Sequence, residues 1–178
     1  IRDEVRNHKV SNKGHYVVYL PSYGDEKIVK QLKRLPAAKW EVFSKTATKA
    51  YLDGTIHVQP LDAKKFTASM ASCEGVLCNA GFGTTTEAMF LGKKLCVIPM
   101  KGQYEQACNA EFLKKMKVTV AKKLKRKHLP KIAAWKEHGE VTKVSYTDQR
   151  KLIVDRIVQH AGKSQVKPYL EEDFLLFQ

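Results

Sequence analysis

The stretch Asn79-Ala80-Gly81-Phe82-Gly83-Thr84-Thr85-Thr86-Glu87 decides how this chain reads. It follows the apolar run Gly75-Val76-Leu77-Cys78 and leads into Ala88-Met89-Phe90-Leu91, closed by Gly92. A buried strand that turns through glycines into a helix leaves unpaired N–H groups at the helix start, where the helix dipole adds its positive end. Such a turn is a site for phosphate. The glycines let the backbone approach a ligand closely. The three threonine hydroxyls offer further donors, and Glu87 can accept hydrogen bonds from a sugar diol. The combination points to a nucleotide-sugar site. A second reading uses the same residues: Thr84 and Glu87 have the S/T-x-x-E spacing of a capping box, each side chain satisfying the other's backbone. The stretch is not a dinucleotide fingerprint, because no third glycine follows Gly81 and Gly83.

Outward from this turn, short apolar strands alternate with helical segments. Strands are expected at residues 15–20, 40–44, 55–58, around Val76, 95–99 and 118–120, with helices over 25–35, 63–71 and 105–116. Strands without polar alternation, separated by helices, indicate an α/β fold, a Rossmann-like three-layer parallel sheet with helices on both faces. A last helix is expected from Thr147 to His160, with Leu152, Ile153, Ile157 and Val158 as its apolar cluster and Gly162 ending it. Residues 1–14 are polar and patternless and read as a linker or tail. Residues 15–162 form the binding domain, and residues 163–178 a C-terminal tail.

Composition narrows the class. Lys and Arg number 32 against 18 Asp and Glu, a net charge of +14. Ten of those basic residues lie between Lys114 and Lys136 with no acidic residue among them. Such a face can draw in nucleic acid or anionic lipid, or serve only as a solvated surface. Trp135 is its only aromatic, whereas single-strand binders interleave several, so nucleic acid is not the expected partner. No apolar run approaches the roughly 18 residues that span a membrane. Cys73, Cys78, Cys96 and Cys108 lack C-x-x-C spacing and sit in apolar or helical contexts. They read as reduced thiols of a cytoplasmic protein and not as a zinc site. The chain begins at Ile1, which leads us to expect a fragment or a processed product.

Ligands of open parallel sheets sit beyond the carboxyl ends of the strands. The loops there are Pro21-Ser22-Tyr23-Gly24, Ser44-Lys45-Thr46, Gln59-Pro60-Leu61-Asp62, residues 79–86 and residues 100–106. The last carries Gln103, Glu105 and Gln106, amide and carboxylate groups suited to sugar hydroxyls. It also reads as a plain helix start, in which Glu105 favours the dipole.

These residues resemble the C-terminal, donor-binding half of GT-B glycosyltransferases. The likeness is to the UDP-glycosyltransferases and to the bacterial enzyme, of family 28 type, that adds N-acetylglucosamine to the lipid-linked peptidoglycan precursor. One block is Gly81, Thr84 and Glu87; the other is Glu105-Gln106-Ala107-Cys108-Asn109-Ala110, after the strand ending at Pro99. The resemblance implies that Thr84, Thr85 and Thr86, with Gly81, Phe82 and Gly83, face the diphosphate and that Glu87 holds the ribose. It implies that Glu105 and Gln106 bind the donor sugar and that Leu61 contacts the base, while Ser22 and Gly24 match the first loop loosely. Asn79 stands where those families have histidine or arginine, so a charged phosphate contact is missing.

The resemblance further implies a hexosyltransferase using a UDP-linked donor, without cofactor or metal, in cell-envelope glycan or glycolipid synthesis. The general base belongs to an N-terminal acceptor-binding domain, on which the tail at 163–178 would pack. The chain alone is expected to bind a donor without turnover. An acceptor on a lipid phosphate would place it at the inner face of the cell membrane. Three other readings remain at this point: a nucleotide-sugar epimerase of related fold, a basic nucleic-acid-binding module, and a stand-alone donor subunit paired with a membrane partner.

Overall fold

The computed structural model describes residues 1–161. Seven strands, β1 (His15–Tyr19), β2 (Lys39–Ser44), β3 (Tyr51–Asp53), β4 (Ile56–Pro60), β5 (Gly75–Cys78), β6 (Lys94–Val97) and β7 (Thr119–Val120), form one sheet. Their order is β3-β4-β2-β1-β5-β6-β7. All pairs are parallel except β3 with β4, which form an antiparallel hairpin around Gly54-Thr55. The helices are α1 (Asp3–Arg6), α2 (Asp25–Leu32), α3 (Ala63–Ser72), α4 (Phe82–Phe90), α5 (Tyr104–Lys115), α6 (Leu129–His138) and α7 (Arg150–Ala161).

Alternation along the strands sorts the core into two layers. Tyr16, Val18, Trp40, Val42, Ile56 and Val58 face α2 and α6, meeting Ile28, Leu32, Ile132 and Trp135. Val17, Phe43, Val76, Cys78, Leu95 and Val97 face the other way, against α1, α3, α4 and α5. The expected three-layer α/β architecture is therefore the observed one. Every expected strand and helix has its counterpart in the structure, with ends shifted by a few residues. The hairpin strand β3 and the helices α1 and α6 are additions.

The first residues do not form the expected tail. Val5 is fully buried against the α3–α5 layer. Backbone bonds from Ser11 to Ala71 and from Lys13 to Ser72 lay the segment along the end of α3. Lys93, itself buried, donates to the Ser11 carbonyl at 2.6 Å and to that of Cys73 at 2.8 Å. One buried valine and one buried lysine ammonium thus anchor a segment of polar composition. The compact unit runs from Ile1 to Ser145, and a second unit begins at Tyr146. That boundary replaces the expected 15–162 domain. The described part of the second unit holds α7, with Leu152, Ile153, Val154, Ile157 and Val158 exposed. Gly162 and the tail at 163–178 lie outside the described residues.

Candidate donor site

The chain reverses its winding between β1 and β5: β1 leads to β2 on one side and β5 to β6 on the other. Diverging loops leave a crevice at the carboxyl ends of these two strands, the usual ligand position in such sheets. Asn79 occupies it. The side chain is 6% exposed. Its Nδ2 donates to the Ile98 carbonyl at 2.6 Å, and its Oδ1 accepts from Ser22 Oγ at 3.3 Å. One amide therefore joins the loops after β1, β5 and β6, with one donor and one acceptor bond given to that join. Asn79 holds these three loops together.

Helix α4 starts three residues earlier than a capping box at Thr84 would require. Gly81 is its N-cap, extended at φ −75°, and no side chain caps it. The amides of its first turn are left to water or a ligand. Phe82 and Gly83 beside them are exposed, and Thr84 is half-buried. Thr85 and Thr86 are buried and turn away from the opening: Thr85 Oγ1 bonds the Gly81 and Phe82 carbonyls, and Thr86 Oγ1 those of Phe82 and Gly83. Their single hydroxyl protons are spent inside the helix, so neither adds a phosphate donor. The helix ends on Gly92 at φ +65°, with Lys93 N–H bonding the Ala88 carbonyl and Gly92 N–H that of Met89. This is a Schellman closure, and a positive φ there favours glycine.

Glu87 is neither a cap nor open to the crevice. It is 6% exposed, and Arg2 grips both its oxygens, Nε to Oε1 at 2.7 Å and Nη2 to Oε2 at 2.8 Å. The carboxylate holds the guanidinium proton more tightly than usual, chiefly through this hydrogen bond. Reading the sequence missed Arg2, because nothing local links residues 85 positions apart.

The second block reaches the same place. Gln106 is buried, accepts from Met100 N–H at 3.0 Å, and puts its Nε2 3.9 Å from where a Cβ on Gly81 would sit. Asn109 Nδ2 donates to the Ala80 carbonyl at 3.0 Å and to Glu105 Oε1 at 3.3 Å. Gln103 and Glu105 are exposed at the start of α5. Leu61 is also exposed and stands at the head of α3, where its N–H bonds the Ser44 carbonyl and Asp62 caps the helix through Lys65 N–H. Gly24 is the exposed N-cap of α2. Ser22, Asn79, Gly81, Glu105 and Gln106 are thus linked directly or through one neighbour. Among the described residues, the hydrogen bonds of Leu61 and Gly24 do not join them to that group.

Residues 1–135 match the family described as Glycosyl transferase family 1. The chain belongs to that family. Among solved structures, this family 1 chain is similar to the kitacinnamycin glycotransferase, at 17% identity and a TM-score of 0.53, covering 74% of this chain and 37% of that one. It is similar to the spinosyn forosaminyltransferase SpnP, at 11% identity and a TM-score of 0.53, over 89% of this chain and 47% of that one. It also matches the NMR structure of ALG13, at 12% identity and a TM-score of 0.51, over 83% of this chain and 98% of that one. The chain therefore spans less than half the length of the first two. No curated protein matches it by sequence. At these identities the structures attest the fold, which is that of GT-B glycosyltransferases.

Two other features bear on chemistry. A cavity of about 740 Å³ along α3 contains His15, Glu41, His57 and Ser69. His15 Nε2 lies 3.0 Å from Ser69 Oγ, but that hydroxyl also donates to Glu41. A serine whose proton is held by a carboxylate, in mid-helix, is not set up as a nucleophile activated by histidine. Cys73, Cys78 and Cys96 are free and buried, and burial pushes the Cys73 and Cys78 thiols up to about 12, while Cys108 is exposed. Among the described residues no group of three His, Cys, Asp or Glu is placed to hold a metal, and no helix is long and apolar enough to cross a membrane.

Proposed function

We propose that this chain is the donor-binding half of a glycosyltransferase that moves a hexose from a UDP-sugar to an acceptor in cell-envelope glycan or glycolipid synthesis. The observation that carries the reading is the uncapped start of α4 at the β1/β5 crevice, with Gln106 and Glu105 brought beside it. The free amides of Phe82, Gly83 and Thr84 would take the charge that develops on the diphosphate, as fixed dipoles that need no reorganisation. Gln106 Nε2, Glu105 and Gln103 would address sugar hydroxyls, and Leu61 the base. Ser22 and Gly24 would border the phosphate from the first loop. Glu87 would receive the ribose diol once Arg2 yields one of its oxygens. The general base would come from an N-terminal acceptor domain, and no step assigned to these residues uses a metal or a cofactor. The protein would work in the cytoplasm, at the inner face of the membrane if the acceptor is lipid-borne.

Calorimetry of the chain with UDP, UDP-glucose and UDP-N-acetylglucosamine tests this. We expect saturable binding of UDP, and Glu105→Ala and Gln106→Ala to weaken the UDP-sugars while sparing UDP. Absence of saturable heat with all three ligands would refute the donor reading. Equal losses for UDP and UDP-sugar would remove the sugar-binding role of the pair.

A further inference from the structure

The basic run between Lys114 and Lys136 does not form one face. Lys114 pairs with Glu111, and Lys136 with Glu137 beside the Ala37 carbonyl. Lys122, Lys123 and Lys125, however, join Lys27 and Lys101 around a cavity of about 630 Å³ beyond β1, β6 and β7. Five lysines thus line this space and no carboxylate does. No salt bridge among the described residues involves any of the five.

The arrangement is built into the fold. Ala121 and Leu124 are buried, which turns the lysines between and after them outward. Leu124 N–H donates to the Tyr23 hydroxyl at 3.2 Å, clamping this loop to the head of α2, and Lys27 Nζ lies 4.8 Å from the Tyr23 ring centre. The local field is felt by His128, whose imidazole is driven toward its neutral form by desolvation and then by Lys127, Lys122, Lys123 and Lys125. Unpaired like charges around a concavity repel one another and concentrate positive potential in it, and a polyvalent anion relieves both effects. Tyr23, Pro99, Met100 and Tyr104 supply apolar surface alongside. None of residues 79–87, nor Leu61, lines the cavity, which meets the donor site only at Ser22 and Gln103.

We propose that this cavity binds the phosphate or diphosphate group of the acceptor, so that the hydroxyl that takes the sugar, as UDP leaves, belongs to an anionic phosphate ester and not to an uncharged molecule. The anion site stands on the lysines alone; its assignment to the acceptor rests on the donor reading above. Titrating the chain with inorganic pyrophosphate, with and without saturating UDP, tests it. Pyrophosphate should bind in both conditions, and Lys122→Glu with Lys125→Glu should weaken it about tenfold or more. Lys64→Glu with Lys115→Glu, the same charge change away from the cavity, should leave it within about twofold. Geranyl diphosphate binding more tightly than pyrophosphate would assign a lipid-linked acceptor, and equal binding a soluble sugar phosphate. The proposal is overturned if pyrophosphate does not saturate, if both double variants weaken it equally, or if UDP displaces it one for one. Pyrophosphate binding without UDP binding would refute the donor reading and leave the anion site in place.

Discussion

Replacing Arg2 by methionine separates two roles for Glu87. Methionine keeps the apolar stem of the side chain and removes both hydrogen bonds to a carboxylate that is only 6% exposed. A hydrogen bond to a charged group contributes about 1.5–3 kcal/mol. Arg2 is 47% exposed, so screening reduces the pair's worth, and about 1–3 kcal/mol in all is a fair expectation. For a unit of this size that loss lowers the melting temperature by roughly 2–12 °C. On the proposed reading, ribose hydroxyls take the place of Arg2 on the carboxylate, so binding a nucleotide breaks at least one of these bonds. Arg2→Met removes that cost, and UDP should then bind about fivefold or more tightly, one such bond being worth at least about 1 kcal/mol. Glu87→Gln should melt lower as well but bind UDP more weakly, because an amide accepts less strongly than a carboxylate. Calorimetry and thermal melts on the two single variants and the double variant give the full cycle. If both single variants melt lower while UDP affinity stays at the wild-type value, Glu87 only tethers the N-terminal segment, and the ribose assignment fails.

Four further expectations follow from the geometry. Asn79→Ala leaves the buried Ile98 carbonyl without its 2.6 Å partner and should cost about 1–3 kcal/mol, with weaker UDP binding because three loops lose their join; a stability loss with undiminished affinity would contradict the positioning role. Thr85→Val and Thr86→Val should leave UDP affinity within about twofold, since both hydroxyls bond their own helix, and a tenfold loss would restore them as phosphate donors. Lys117 ends α5 at φ +65°, the only non-glycine positive φ among the described residues, so Lys117→Gly should stabilise the fold by about 1 kcal/mol in a melt. Burial lowers the Lys93 pKa below the ordinary 10.5, so the folded state releases this proton first; the desolvation penalty is complete below the folded pKa and lifts as pH rises toward 10.5. The melting difference between wild type and Lys93→Met should therefore shift in favour of wild type across that window, and a pH-independent difference would refute the buried ammonium.

The sheet was legible because strands covered on both faces lose their polar alternation and stand out as apolar runs, as 75–78 and 95–98 do. The β3–β4 hairpin carried a signal that went unread. Gly54 at φ +62° opens the two-residue turn Gly54-Thr55, but Leu52 is 71% exposed, and so short and exposed a strand shows no apolar pattern. Helix α6 also had its marks, Pro130 in its first turn and Leu129, Ile132 and Trp135 on one face, hidden among lysines. The N-terminal segment was not legible at all. A lone valine has no periodicity, and the partners of Arg2 and Lys93 lie far along the chain.

Within the candidate site, several side chains that the motifs offer to a ligand are already hydrogen-bonded inside the fold, for one physical reason. A motif records which residue types stand together; it does not record how many of their hydrogen bonds the fold has already used. Asn79, Thr85, Thr86 and Glu87 all have polar groups suited to a ligand, and in each the fold has claimed them. What remains unclaimed around the crevice is backbone at the start of α4, exposed side chains at the start of α5, and the lysines beyond β7. On the proposed reading, recognition of the donor then falls chiefly to the main-chain amides at the start of α4. Such amides serve phosphate oxygens well and do not read a base. That predicts a site more selective for the diphosphate than for the nucleoside. UDP should exceed UMP in affinity by about tenfold or more, as a second phosphate adds charge-assisted bonds to otherwise unpaired donors. Exchange of uracil for another base should cost only a few-fold, since Leu61 offers contact without hydrogen bonds. A strict preference for uridine with weak discrimination between UMP and UDP would show that the base is held by hydrogen-bonding groups and not by Leu61.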